Sequence, residues 1–239
     1  MISFVCWKWG STNRTFQSDH VNVLRAMIAR HYPEPHKLIC LTDNTKGLDP
    51  RIEAMPMPVT GFEGLPNPAT ARFKVKYFPS CYRRLWVFSE AAKTLGDRLF
   101  CLDIDVVITA SLLPLVQRPE SFVGWSDPKF GWNKIAGGAY MLTAGAHTDV
   151  WTDFDPAASP HLAATLGFNG SDQAWMSYKL FPSKGVWTLR DGMTKINWLG
   201  RRMHTLPPEI RFVFTTGHAP PWSAEVQRSH PWIKKHWGL

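Results

Sequence analysis

Arg98-Leu99-Phe100-Cys101-Leu102-Asp103-Ile104-Asp105-Val106-Val107-Ile108 is the stretch on which the fold turns. Arg98 to Leu102 reads as a buried strand, and Val106 to Ile108 resumes the apolar run after the acids. Two carboxylates left at the edge of a core are unfavourable unless a cation or a proton offsets them. Side chains one residue apart on an extended chain point the same way, so Asp103 and Asp105 both reach one ion. One or two carboxylates plus phosphate oxygens is the usual way a protein holds Mg²⁺ or Mn²⁺ on a nucleotide. The competing reading is a turn, where aspartates are common. The apolar run ahead of the acids favours the metal.

Working outward, Cys81 to Leu95 predicts a helix with Leu85, Phe88, Ala92 and Leu95 on one face and Gly96 as its stop. Ile2 to Trp7 predicts a strand rather than a secretion leader, since neither a basic start nor a small-residue cleavage site is present. Asp19 to Tyr32 predicts a helix with Val21, Leu24 and Ile28 inward, ended by Pro33 and Pro35. Lys37 to Thr42 and Arg51 to Met57 follow as strands, the first closed by the turn-rich Asp43-Asn44-Thr45-Lys46-Gly47. Ser121 to Trp125 and Ala139 to Thr143 predict further strands, and Asp172 to Leu180 a helix with Asp172 in its first turn. The final third is loop-rich and yields no clear elements. Strands alternating with helices predict an α/β protein with a doubly wound, mostly parallel sheet flanked by helices, in which ligands bind beyond the carboxyl ends of strands.

The 239 residues suit one large domain, and 19% charged against 44% hydrophobic residues describes a folded chain. No apolar stretch approaches the roughly 20 residues that span a bilayer. The four cysteines, Cys6, Cys40, Cys81 and Cys101, have no metal-like or Cys-x-x-Cys spacing, and three lie in apolar runs. That pattern points to a reducing, cytoplasmic setting. A net charge of +8 implies attraction to anions: nucleotides, acidic glycans, nucleic acid or a membrane surface.

Around the acid pair the chain resembles a GT-A-fold glycosyltransferase, and within that group glycosyltransferase family 8 and its bacterial and phage relatives. The resemblance spans about residues 75 to 225. It rests on Tyr82-Arg83-Arg84-Leu85-Trp86, the stretch from Arg98 to Ile108 and Leu112-Leu113. Further on it rests on Phe122-Val123-Gly124-Trp125-Ser126-Asp127, Gly137-Gly138-Ala139-Tyr140-Met141-Leu142, Asp172-Gln173 and Thr216-Gly217-His218-Ala219-Pro220-Pro221-Trp222.

The resemblance implies a single GT-A-like domain over 1–239 that moves a sugar from a nucleoside diphosphate sugar, a uridine one, to an acceptor hydroxyl, with retention of configuration. The acceptor would be a glycan, a lipid-linked glycan or modified DNA. Asp103 and Asp105 are then metal ligands for Mn²⁺ or Mg²⁺, with Asp103 also near ribose. Asp127 and the Asp172-Gln173 pair face the donor sugar or acceptor. Two positions depart from the family pattern: Phe214 stands where the family has its metal-binding histidine, and Pro220 where it has lysine. His218, beside Gly217, is the candidate substitute ligand, and a nitrogen donor favours Mn²⁺. Lys8, Arg83 and Arg84 are candidates for the diphosphate clamp, and Trp7 or Trp9 borders the base beside the Lys8 to Thr15 loop.

Trp125, Trp132 and Trp222 are candidates to line the cleft, since flat aromatic faces pack on sugar rings as well as in cores. The tail at about 223–239, with Arg228, Trp232, Lys234, Lys235 and Trp237, reads either as contact with an anionic surface or as a solvated segment. Three other functions stay open: a phage-type DNA-modifying glycosyltransferase, a non-catalytic nucleotide-sugar-binding module, and a haloacid-dehalogenase-like phosphatase. For the last, Asp149 and Asp153 would have to supply the second acidic cluster.

Overall fold

In a computed structural model of the chain, the described residues are 1–10, 16–68, 80–126, 135–180, 184–200, 203–215 and 219–238. Strand β1 (Ile2–Lys8) is buried at every position, as a strand packed on both faces must be. Its alternate side chains supply two cores: Phe4 and Cys6 go to one, Val5 and Trp7 to the other. Helix α1 (Ser18–His31) returns the chain antiparallel to the sheet and buries Val21, Leu24, Met27 and Ile28. Strands β2 (His36–Thr42) and β3 (Glu53–Pro56) then add outward from β1.

The chain crosses back through Tyr82–Phe88 and Glu90–Leu95 to β4 (Arg98–Leu102), which pairs in parallel with the other edge of β1. Strand β5 (Val106–Ile108) and the short helix α2 (Leu113–Val116) precede β6 (Phe122–Ser126) and β7 (Ile135–Thr143). Helices α3 (Asp149–Thr152), α4 (Ser159–Thr165) and α5 (Asp172–Leu180) lead to β8 (Gly185–Trp187). The main sheet has the order β3-β2-β1-β4-β7-β6-β8. Only β7 runs against the rest, so the sheet is mostly parallel as expected.

A second sheet, β5-β10-β9, uses β9 (Met193–Lys195) and β10 (Phe212–Phe214). The acid pair thus sits on the turn that leaves the main sheet at Leu102 and enters the small one at Val106. Because β2 and β4 flank β1, winding reverses there, and the carboxyl ends of β1 and β4 open the crevice where such sheets bind ligands. The register Val5↔Cys101, carried two residues on, sets Trp7 level with Asp103.

Several expectations need correction. Cys81 to Leu95 is not one α-helix but two 3₁₀ segments, parted by Ser89 in an extended conformation (φ −75°, ψ 158°). Leu85, Phe88, Ala92 and Leu95 are nonetheless all buried. Their 3-4-3 spacing satisfies an α-helix, and it equally satisfies two 3₁₀ turns whose i and i+3 side chains share a face. Gly96, at φ 131°, still ends the segment.

β7 begins four residues earlier than expected, and the loop-rich final third contains β8, β9, β10 and two helices, α6 (Ala224–Ser229) and α7 (Pro231–His236). The tail is not a solvated segment, because Trp232, Ile233 and Trp237 are buried in the core shared with α1. All four cysteines are free, and Cys6, Cys40 and Cys101 are buried, as their apolar surroundings predicted. Among the described residues no helix is long and apolar enough to cross a membrane.

Candidate active site

The acid turn is held from both sheets. Asp103 N–H donates to the carbonyl of Gly138 on β7 at 2.9 Å. Thr215, just past β10, donates its hydroxyl to the Asp105 carbonyl and lies 3.3 Å from Asp105 Oδ2. The two carboxylates differ in setting: the Asp103 side chain is 39% exposed, whereas Asp105 is 4% exposed.

Behind Asp103 lies the buried guanidinium of Arg84. Its Nη1 donates to Asp103 Oδ1 at 2.6 Å, and its Nε to Asp172 Oδ2 at 2.7 Å. Nη2 is also 2.7 Å from that same Asp172 oxygen. The guanidinium lies 5.6 Å over the Trp7 ring, a cation–π contact. Burial alone would lower the pKa of Arg84, but Asp172 and Asp103 outweigh it and hold the guanidinium charged. Asp172 is 2% exposed, and burial pushes its carboxyl above the ordinary range against the pull of Arg84. One cation therefore joins two acids 69 positions apart in sequence, Asp103 and Asp172.

Glycines make room for this cluster. A Cβ on Gly137 would stand 2.7 Å from Arg84 Nη2, and one on Gly138 2.8 Å from the Phe214 ring and 3.4 Å from Asp103 Oδ2. Gly137 N–H donates to Gln173 Oε1 at 3.2 Å, while Gln173 Nε2 donates to the Asn169 carbonyl at 3.0 Å. Gln173 thus ties β7 to α5 beside the acids. The thiol of Cys81 is pushed up to about 12 by burial, and that of Cys101 higher still, so neither is a nucleophile at neutral pH.

A cavity of about 580 Å³ opens at the carboxyl ends of β1 and β2, walled by Lys8, Trp9, Phe16, Gln17, Asp43 and Asn44 among others. Its size falls within the usual range for small-molecule sites. Lys8 Nζ donates to the Asn44 carbonyl at 2.6 Å, and Gly10 N–H to Asp43 Oδ2 at 3.1 Å.

Of the residues expected from sequence, the structure brings Trp7, Arg84, Asp103, Asp172 and Gln173 together, keeps Asp105 on the same turn against Thr215, and sets Lys8 on the cavity wall. Arg83 turns elsewhere, with Nε 3.5 Å from Glu63 and Nη2 3.4 Å from the Pro58 carbonyl. Asp127, Trp132, Gly217 and His218 lie outside the described residues. Trp125 is buried and stacked on Phe214 at 3.8 Å, as core packing. Phe214, at the family's histidine position, is core packing beneath Gly138. Asp149 and Asp153 both pair with Lys179 of α5, so they supply no acidic cluster to the turn. Thr215, Asp43 and Asn44 were missed by sequence reasoning, and only the turn composition of 43–47 signalled the last two.

Asp103 keeps one oxygen clear of Arg84, and Asp105 adds a second carboxylate on the same turn. Among the described residues no group of three His, Cys, Asp or Glu side chains comes together as a metal cluster. Mg²⁺ and Mn²⁺ on a diphosphate need no such cluster, since one or two carboxylates with phosphate oxygens suffice. The donor set therefore fits a hard divalent cation shared with a ligand.

No profile of a known protein family matches the chain, and no curated protein matches it. Solved structures do match. The galactosyltransferase LgtC, in complex with donor and acceptor sugar analogues, superimposes with a TM-score of 0.59 at 14% identity, covering 99% of this chain and 95% of that one. An LgtC variant with an active-site glutamine changed to glutamate gives a TM-score of 0.57 at 14% identity, covering 98% and 93%. At such identity the likeness shows the fold: this chain has the GT-A fold of LgtC along its whole length.

Proposed function

We propose that this chain is a metal-dependent glycosyltransferase that moves a sugar from a nucleoside diphosphate sugar, a uridine one, to an acceptor hydroxyl. The observation that carries the reading is the placement of Asp103 and Asp105 at the point where the sheet's winding reverses, beside a cavity of nucleotide size. The nucleoside would occupy the cavity at Lys8 and Trp9, and its diphosphate would extend toward the acid turn. Asp103, Asp105 and His218 would hold Mn²⁺, which when bound supplies positive charge to the departing diphosphate.

The residues of this chain do the rest. Arg84 fixes Asp103 through its Oδ1 and leaves the second oxygen without a contact to the guanidinium. Asp172 acts through Arg84, holding the guanidinium in place rather than touching sugar. Gln173 and Asp127 would wall the donor sugar, Gln173 from its place between β7 and α5 beside the acids. During transfer the bond from the anomeric carbon to the diphosphate oxygen breaks, and its electron pair leaves with the diphosphate. The acceptor oxygen bonds to the anomeric carbon and gives its proton to the departing diphosphate. Retention of configuration is what the family resemblance implies, and a sugar acceptor is supported by the acceptor sugar analogue in the LgtC complex.

The test is release of uridine diphosphate from uridine-linked sugars in Mn²⁺. Asp105→Ala is expected to lower turnover about 100-fold or more with its melting curve still cooperative. Unchanged turnover in that variant would overturn the assignment. Binding of uridine diphosphate with Mn²⁺ but no turnover of any donor would favour the non-catalytic module instead.

A further inference from the structure

Four aromatic rings join the cavity wall to the C-terminal segment. His20, in the first turn of α1, stacks face to face on Trp222, with centroids 3.9 Å apart and planes 11° from parallel. Phe16 meets Trp222 edge-on at 6.0 Å, and Trp237 lies 5.9 Å from Trp222 and 6.5 Å from His20. The His20 ring is also held at its edge, since Gln17 N–H donates to Nδ1 at 3.2 Å. It cannot turn without losing either that bond or the stack. Phe16 and Gln17 belong to the cavity wall. At the other end of α1, Arg30 donates to the carbonyls of His236 and Gly238, both at 3.0 Å. The C-terminal segment therefore grips α1 at both ends, and at its first turn the grip is on residues adjoining the cavity.

We infer that the Phe16–His20–Trp222–Trp237 stack positions the first turn of α1 as a wall of the nucleotide cavity, so that Trp222, which is not part of that wall, sets nucleotide affinity. Removing an aromatic partner from a stack loosens both elements it joins, whereas another flat ring retains most of the contact. This inference rests on the reading of the cavity as the nucleotide site. Trp232 is a suitable control, because it is buried in the same core and C-terminal segment but its ring contact is His230, at 6.1 Å, rather than a ring at the first turn of α1.

The experiment compares Trp222→Ala, Trp222→Phe and Trp232→Ala with the parent chain. Calorimetric titration with uridine diphosphate and Mn²⁺ gives affinity, and hydrogen exchange over residues 18–25 gives the order of the α1 first turns without any ligand. Trp222→Ala is expected to weaken binding about fivefold and to speed exchange there. Trp222→Phe should restore both, and Trp232→Ala should lower the melting temperature while moving neither. Exchange in Trp222→Ala no faster than in Trp232→Ala overturns the inference. So does parent-like affinity in a folded Trp222→Ala. A parent chain that binds no uridine diphosphate defeats the nucleotide assignment, and the exchange comparison still judges the brace.

Discussion

Two seams hold the candidate site together, and they use opposite chemistry. Behind the acid turn, β4, β7, α5 and the first 3₁₀ segment are joined by a buried full charge, Arg84 between Asp103 and Asp172. Along α1, the C-terminal segment is joined by rings, His20 with Trp222 and Trp237 beside the cavity and His31 with His236 at the helix's other end. Each of these imidazoles is held below its ordinary pKa of 6.5 by burial, so the second seam joins uncharged rings, with Arg30 donating to main-chain carbonyls at its far end. A buried ion pair need not add much stability as a pair, but it is unforgiving of losing one partner. A ring seam loses strength gradually. The end that would do chemistry is thus fixed by charge, and the end that would bind nucleotide by packing.

The difference is broken most severely by Arg84→Ala. That change leaves Asp172 buried without its counter-charge, and urea unfolding should show a loss of about 3–5 kcal/mol. A loss below about 1 kcal/mol would mean that water or another cation replaces the guanidinium, and the charged seam would not be what fixes this end. Gly137→Ala attacks the same seam by sterics. Its Cβ would fall 2.7 Å from Arg84 Nη2, with Gln173 Cβ at 3.4 Å and Asp172 Oδ2 at 3.6 Å, leaving the guanidinium little room to give way. A loss of about 1–3 kcal/mol is expected, with donor turnover falling as Asp103 shifts. Parent-like stability would show that the cluster yields more easily than close packing implies.

Acid should separate the seams without any mutation. A histidine whose pKa is depressed in the fold takes up fewer protons than in the unfolded chain, so its contribution is complete above 6.5 and is lost as pH falls below it. His147, packed near Phe122, has the same sign. Asp172 has the opposite sign: its raised pKa means that the fold binds more protons, so acidification does not weaken it through this group. The depressed carboxyls, Glu63 and Glu120, begin to matter only near their ordinary value of 4.5. The melting temperature should therefore be level from pH 8 to 6.5 and decline from 6.5 to 5. Replacing His20, His31 and His236 by glutamine should flatten that decline, and an equal decline in the triple variant would place the acid sensitivity elsewhere.

These seams also mark what was legible in the sequence. The acid turn and α5 were readable because each depends on a local pattern, an apolar run before Asp103 and a helical period from Asp172 to Leu180. The 82–95 segment gave up its buried face but not its conformation, since the spacing of Leu85, Phe88, Ala92 and Leu95 fits two kinds of helix. Strands β8, β9 and β10 have three residues each, too few for an alternation to show. In the tail, the six-residue α7 sets Lys234 and Lys235 directly after Trp232 and Ile233, with Trp237 just past its end, so a buried anchor has the composition of a surface patch. The cavity is assembled from β1, β2 and α1, and no single stretch announces it.

Arg83 and Arg84 are the sharpest case, being adjacent and chemically identical in the sequence. What parts them is Asp172, 88 residues from Arg84, which captures one guanidinium and leaves the other to Glu63 and the Pro58 carbonyl. The Arg83–Glu63 pair is half-exposed and long, at 3.5 Å, and pairs of that kind contribute little. Arg83→Ala is therefore expected to change stability by less than about 1 kcal/mol, several-fold below the effect at its neighbour. Its donor KM should stay within about threefold of the parent, because a side chain committed to Glu63 gives up little on truncation. A rise of about tenfold in donor KM with kcat and melting temperature intact would instead mean that Arg83 leaves Glu63 to clamp the diphosphate when donor binds. The charged seam would then extend to the ligand itself, with one arginine holding the acids and the next holding what they bind.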